Sequence, residues 1–138
     1  MASRNVEQLI EGFRAMERGD VEWIVALAEP DVEFVNPETA LESGTRHGLD
    51  GLRVGMSAML EVFDDLRFEH DQVIEAGDKV VATGTFTARG RVSGTPVGPL
   101  PFAVVTTQRD GRLVRYEWFV EPEEALRAAG VDPLAGPG

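Results

Sequence analysis

Apolar residues recur every three or four positions from Val6 to Met16, with polar and charged residues between them. This period is typical of an amphipathic helix that buries one face. Gly19 and Asp20 are predicted to end this helix, and the Asp20 side chain is placed to cap a second one. Trp23 lies three residues beyond that cap and starts the apolar face of the second helix.

The second helix is predicted to end at Pro30, and a third helix to begin near Leu49. The end of the third helix is expected at Asp64-Asp65, because two negative charges are unfavourable at a helix C-terminus. The predicted apolar side of the third helix consists of Leu52, Met56, Met59, Leu60 and Phe63.

Strand-like sequence occurs once before the third helix, at residues 32–36, and dominates after it. Residues 38–48 have no clean period, so an irregular connection is expected there. Gly77-Asp78 and Asp110-Gly111 predict tight turns, and residues 90–99 a long hairpin loop. The later elements are predicted as strands at 66–76, 79–89, 100–109 and 112–120, a short helix at 122–129 and a frayed, flexible tail at 131–138.

Helices followed by long antiparallel strands predict an α+β fold. The strands have to bury one face against the helices, and a strongly curved sheet does this by closing into a cone. We therefore expect a conical, curved antiparallel sheet wrapped around the N-terminal helices. No internal repeat or linker divides the sequence, which predicts one domain over residues 1–138 with an ordered core over about residues 5–130.

Charge and composition restrict the partners of this domain. The 138 residues carry a formal net charge of −11, which repels phosphate backbones and anionic lipids, so neither nucleic acid nor membrane is expected as a partner. The absence of cysteine excludes disulfides and a Cys nucleophile and fits a reducing compartment. No stretch approaches the roughly 18 apolar residues of a membrane span, and no apolar leader follows the polar start. A cytoplasmic protein is predicted.

The sequence contains five short segments in a fixed order, namely Arg18-Gly19-Asp20, residues 45–51 (TRHGLDG), residues 76–81 (AGDKVV), residues 109–114 (RDGRLV) and residues 123–130 (EEALRAAG). Together they resemble the nuclear transport factor 2-like superfamily in its SnoaL-like branch, which includes polyketide cyclases and steroid isomerases. The resemblance implies a cystatin-like α+β barrel with a pocket inside the cone, commonly dimeric through the outer face of the sheet. It implies no single activity, because this fold carries enzymes and binding modules.

The inward faces of the strands and helices would line such a pocket, and strand alternation assigns them. His70 is placed on the same face as Phe68 and Gln72, and Tyr116 on the same face as Val114. The expected lining is aromatic and aliphatic, which suits a small apolar molecule. It comprises Phe13, Met16, Trp23, Phe34, Asn36, Met56, Met59, Phe63, Phe68, Phe102, Val104 and Trp118.

Three residues are candidates for catalysis, each with a structural alternative. Glu38 is a general base if apolar walls desolvate it, or a solvated loop glutamate. His70 is a general base if it points inward, or a surface histidine in a charged strip. Tyr116, the only tyrosine, donates a hydrogen bond to a ligand oxygen or is a core aromatic. No metal site is predicted, because the two histidines, His47 and His70, have no metal-ligand spacing. No cofactor is predicted either, since the sequence has no Gly-rich phosphate loop.

The acid–base residues that the resemblance implies are absent at the matching positions. The isomerase relatives have an aspartate before a proline where this chain has Asn36, and a phenol donor where this chain has Gly12 and Phe13. The SnoaL-type cyclases have a His-x-Asp pair on the last strand, where this chain has Tyr116 and Trp118. Two hypotheses follow. One is a protein that binds or converts an apolar cyclic or polyketide-like molecule by cofactor-free acid–base chemistry of the isomerase, cyclase or hydrolase type. The other is a non-catalytic small-molecule-binding or dimerisation module.

Overall fold

The computed structural model describes residues 3–37 and 44–131, which form four helices and six strands. Ser3 caps the first helix through its hydroxyl, and the Asp20 carboxylate accepts a hydrogen bond from the Trp23 amide at the start of the second, as predicted. In chain order the elements are α1 (Arg4–Arg18), α2 (Val21–Val25), β1 (Ala28–Asn36), β2 (Gly44–His47), α3 (Gly48–Val62), β3 (Phe63–Ala76), β4 (Lys79–Gly90), β5 (Pro96–Arg109), β6 (Arg112–Phe119) and α4 (Pro122–Ala128).

The six strands form one curved sheet in the order β2-β1-β6-β5-β4-β3. Every neighbouring pair is antiparallel except β1 and β6, which run parallel. The sheet stays open, with β2 and β3 at its two edges. Helices α1, α2 and α3 pack on one face of the sheet, so the predicted α+β class and the sheet wrapped around N-terminal helices are confirmed.

The second helix is shorter than predicted, and the first strand is longer. Helix α2 ends at Val25 and β1 already starts at Ala28, so Pro30 lies inside a strand rather than at a helix end. The pairing of β1 with β6 is interrupted between Ala28 and Glu33. Pro30 therefore occupies a part of the strand where no ladder bond needs its missing N–H.

Helix α3 ends before the acidic pair that was expected to stop it. Its last residue is Val62, and Phe63, Asp64 and Asp65 belong to β3. Arg91 from the β4–β5 loop satisfies the end of α3, since its guanidinium donates to the Leu60 carbonyl and its amide to the Val62 carbonyl. The same guanidinium pairs with Asp64 at 2.9 Å, which offsets that negative charge near the helix end.

The connections are more regular than the sequence suggests. Residues 44–47, predicted as irregular, form β2 and pair with β1, whereas residues 38–43 lie outside the described part. The predicted hairpins at Gly77 and Gly111 are confirmed. Strand β5 already begins at Pro96, so the expected long loop is reduced to residues 91–95. Most of the tail predicted to be frayed, residues 132–138, is also outside the described part.

Two bulges change which face a side chain occupies. His70 pairs with Gly84 and Gln72 with Thr83, so Asp71 is an extra residue in β3. An extra residue reverses the alternation, and Gln72 therefore faces outward instead of sharing the face of Phe68. Val114 is the extra residue of β6 and does not share the inner face of Tyr116. Both assignments from strict alternation were wrong at these positions.

The sheet separates two hydrophobic clusters. The larger one lies on the concave side against α1 to α3 and is built around Phe13, Met16, Phe34 and Phe68. The smaller one lies on the convex side, where α4 covers part of the sheet with Ala125 and neighbouring residues. No helix of the described part is long and apolar enough to cross a membrane.

Candidate functional site

A cleft with a volume of about 460 Å³ opens between α1, α3 and the concave face of the sheet. Three of the four methionines lie in its wall, together with aromatic rings from β1, β3 and β6. Asn36 and Glu61 are the polar residues among its described lining. Such a wall suits an apolar molecule that is oriented by few polar contacts. The described lining is Met16, Phe34, Asn36, Gly55, Met56, Ala58, Met59, Glu61, Val62, Phe63 and Trp118.

The floor of the cleft is the ring of Phe34. It packs against Gly55 of α3 so closely that a Cβ at position 55 would lie 2.5 Å from ring atom Cε1. Tyr116 stacks near Phe34, with ring centroids 6.0 Å apart. Phe34 is 2% exposed, so glycine at position 55 is what leaves room for its ring beneath the helix.

Part of the predicted pocket lining forms an aromatic core behind the cleft. Phe13 stacks on Phe68 at 5.3 Å and meets Phe102 edge-on at 5.4 Å, and Trp118 lies 6.2 Å from both Phe68 and Phe102. These contacts favour a rigid back wall. Seven residues of the predicted lining border the cleft: Met16, Phe34, Asn36, Met56, Met59, Phe63 and Trp118. Four others are buried behind it: Phe13, Phe68, Phe102 and Val104. The last one, Trp23, borders a separate cavity.

Neither Tyr116 nor His70 is among the described residues that line the cleft. Tyr116 is buried between the rings of Phe34 and Trp118, and burial raises its pKa above the ordinary value, so its phenol stays protonated. It is a hydrogen-bond donor rather than a base, and it borders the separate cavity. Glu38 lies outside the described residues.

His70 points to the inner face of the sheet, opposite Gly84, but is not among the described residues that line the cleft. Its Nδ1 atom is buried and has no hydrogen-bond partner within the described part of the chain. The other histidine, His47, is exposed, and its Nδ1 lies 3.8 Å from a carboxylate oxygen of Glu33.

Sequence reasoning missed the part of the wall that α3 contributes with small and charged residues. Gly55, Ala58 and Val62 line the cleft beside the predicted Met59, and Glu61 stands at its rim. Positions 55, 58, 59 and 62 repeat at intervals of three and four, which is the spacing of one helix face. This spacing was visible in the sequence. Only large apolar residues were assigned to the helix face, however, so the small residues Gly55 and Ala58 were left out.

No group of three or more His, Cys, Asp or Glu side chains converges as metal ligands would in the part of the chain that the structure describes. The chemistry that the cleft offers comes from its apolar walls and its Asn36 amide and Glu61 carboxylate.

A family model described as a SnoaL-like domain matches residues 6–116. No curated protein matches the chain significantly. An NTF2-like protein of unknown function from Burkholderia pseudomallei K96243 is 27% identical with a TM-score of 0.75, over 91% of this chain and 97% of that chain. TerC, co-crystallized with polyporic acid, is 28% identical with a TM-score of 0.73, over 93% of this chain and 99% of that chain. A putative SnoaL-like polyketide cyclase from Jannaschia sp. CCS1 is 18% identical with a TM-score of 0.75, over 94% of each chain, and shares the fold.

Proposed function

Because the chain belongs to the SnoaL-like domain family, we propose that it binds a small apolar cyclic or polyketide-like molecule in the cleft between α3 and the sheet. The observation that carries this proposal is the cleft itself, with its volume of about 460 Å³ and its wall of thioether and aromatic groups. A molecule of a few fused or linked rings is of the size that such clefts hold. TerC, a similar protein that was co-crystallized with polyporic acid, supports a ligand of this class.

The polar groups of the cleft would orient the ligand. Asn36 stands at the end of β1, and its amide can donate to or accept from a carbonyl or hydroxyl of the ligand. Trp118 offers an apolar face against which a flat ring can pack. Methionine side chains adapt to irregular shapes, which suits Met56 and Met59 to a ligand of varied outline.

Fluorescence of Trp118 tests this proposal. The chain has two tryptophans, so the titration uses the Trp23→Phe background, in which Trp118 is the sole fluorophore of its kind. Polyporic acid and 1-naphthol are the probes, and saturable quenching is the expected result. Met59→Lys places a charge in the cleft wall and should weaken binding at least tenfold. Val54→Lys is the matched control, because Val54 lies on the same helix, is 51% exposed and is outside the cleft lining.

Two results would contradict cleft binding. One is the absence of saturable quenching with either probe. The other is an equal loss of affinity in the Met59→Lys and Val54→Lys variants, since a charge outside the cleft should leave the affinity unchanged.

A second candidate function is cofactor-free acid–base catalysis on the same ligand class. One observation favours it: Nδ1 of His70 is buried and has no hydrogen-bond partner in residues 3–37 and 44–131, and an imidazole nitrogen of this kind can accept a proton. Glu38 is the alternative base and Tyr116 the donor in this hypothesis. Turnover of a substrate found by screening should fall at least a hundredfold in His70→Gln or Glu38→Gln. His47→Gln is the control, since that histidine is exposed. Full activity in all the variants would leave only the binding function.

We also propose a homodimer through the outer face of the sheet, as the superfamily resemblance implies. Lys79, Arg115 and Glu33 lie on one groove of that face. Both signs of charge side by side allow two copies related by a twofold axis to oppose unlike charges. Light scattering at low and high salt should give twice the mass of 15.0 kDa, with partial dissociation at high salt. The mass of a monomer, 15.0 kDa, at both low and high salt would contradict this proposal.

A further inference from the structure

A second, much smaller cavity lies between α1, α2 and the sheet. Its volume is about 20 Å³, room for one water-sized group. It shares no described lining residue with the cleft, so the two are separate sites. We call it the Gln108 niche. Its described lining is Gln8, Leu9, Gly12, Trp23, Ile24, Leu27, Thr106, Gln108, Leu113 and Tyr116.

Gln108 carries a buried polar atom that has no hydrogen-bond partner among the described residues. The residue is 4% exposed, and its Nε2 donates to the Thr106 hydroxyl at 2.9 Å. Its Oε1 is buried and accepts no hydrogen bond from the described part of the chain. A buried amide oxygen without a partner is strongly unfavourable, and such groups in proteins are normally satisfied by a water or a ligand.

The chemistry of the niche selects a neutral ligand. None of its described lining residues carries a charge, and the Tyr116 phenol stays protonated because burial disfavours the phenolate. The ligand must donate to Oε1 of Gln108. A hydroxyl group both donates and accepts, so it satisfies the Gln108 amide in either of its two orientations.

We propose that the Gln108 niche is a second binding site, which takes one hydroxyl group of a small neutral molecule, either water or a short-chain alcohol. The volume of about 20 Å³ between Leu9, Ile24 and Leu113 holds only the hydroxyl group, so the alkyl part of an alcohol extends toward the rim. Partly exposed Gln8 and Trp23 at the rim provide the way in. Tyr116 lines the niche and Phe34, on which it stacks, lines the cleft, so this ring pair lies between the two sites.

The test uses the full-length protein, with water and ethanol as the probes. A water-selective nuclear Overhauser spectrum should show a cross-peak from a long-lived water to the Gln108 side-chain amide. Titration with ethanol should remove that cross-peak saturably and shift the indole signal of Trp23. If the water cross-peak persists and ethanol causes no saturable shift, the site takes water and excludes alcohols. If no water cross-peak appears at the Gln108 amide and ethanol causes no saturable shift at Trp23, the niche is empty and the proposal is wrong.

Substitution separates the niche from a general effect on folding. Gln108→Met removes the orphaned oxygen together with the side-chain amide that reports the water, so the readout in this variant is the ethanol response at Trp23, which should be abolished. Gln72→Met is the matched control, because Gln72 faces the outer side of the sheet and should leave both signals unchanged. If Gln108→Met does not fold, the spectra of the wild-type protein still decide the proposal. An unchanged ethanol response at Trp23 in folded Gln108→Met would overturn it.

Discussion

Gly12 and Gly55 are both buried glycines inside helices, yet alanine should have opposite effects at the two positions. In a helix interior, glycine is about 0.8–1.0 kcal/mol less favourable than alanine. A Cβ added at Gly12 would meet no heavy atom of the described residues within 4 Å, apart from its own helix backbone and its chain neighbours. Gly12→Ala should therefore stabilise the protein by roughly 0.5–1 kcal/mol.

At Gly55 the same methyl group meets the ring that forms the cleft floor. The added Cβ would lie 2.5 Å from Cε1 and 3.1 Å from Cγ of Phe34. The ring has little freedom to retreat, because it is 2% exposed and Tyr116 stacks near it. Overpacking of this kind costs about 1–3 kcal/mol, which outweighs the gain in helix propensity. Gly55→Ala should therefore destabilise the protein by up to about 2 kcal/mol.

Guanidinium unfolding of the two variants beside the wild type measures this difference, which should be about 1–3 kcal/mol with an unchanged m-value. The Phe34 ring displaced by Gly55→Ala has the cleft as its open side, so affinity for polyporic acid should also fall, while Gly12→Ala should leave it unchanged. If Gly55→Ala is as stable as Gly12→Ala, the Phe34 ring is not confined as the structure indicates, and the reasoning fails.

Three further predictions rest on single contacts. Gly84→Ala should destabilise the protein by more than about 3 kcal/mol, because the added Cβ would lie 2.7 Å from Cα of His70, a backbone atom that cannot move aside. Thermal unfolding tests this, and a folded variant of normal stability would contradict it. Glu17→Ala should cost about 1–3 kcal/mol, because its carboxylate accepts from the Phe68 amide at 2.8 Å, and Glu17→Gln should cost less since it keeps an acceptor; equal losses in chemical unfolding would refute this. Tyrosinate absorbance reports Tyr116 alone and should be absent from the folded protein at about pH 11, though the denatured chain titrates near pH 10. Since the folded-state pKa is raised, the stabilisation is complete below about pH 10 and is lost as the pH rises through the folded-state value, so unfolding should become easier above pH 10.

Hydrophobic period and turn chemistry were enough to predict most of the fold. The helix period from Val6 to Met16 and the glycine turns at Gly77 and Gly111 correspond to elements of the structure. The errors occurred where tertiary contacts override the local signal. Arg91 reaches back to the end of α3, so that helix needs no stop signal of its own at Asp64.

The candidate site was harder to predict than the fold. The alternation of inward and outward side chains along a strand is local, and a single extra residue such as Asp71 reverses it. The sequence pattern did not predict this bulge. Periodicity also reports burial but not depth: Phe68 and Phe63 both face inward, yet one lies in the core and the other borders the cleft. Whether Oε1 of Gln108 has a hydrogen-bond partner depends on the positions of all its neighbours. Its lack of one among the described residues could therefore be found only from the structure.

The β3 edge illustrates how one contact can serve a second purpose. This strand of 14 residues has a free side along one border of the sheet, and such a border invites strands of other molecules to add to it. At Phe68, however, Glu17 accepts from the amide and Arg14 donates to the carbonyl, so both outward backbone groups are already occupied. The Asp71 bulge further along bends the same border away from a flat template. The side chains that fasten α1 to the sheet therefore also oppose the strand-to-strand association from which fibrous aggregates grow.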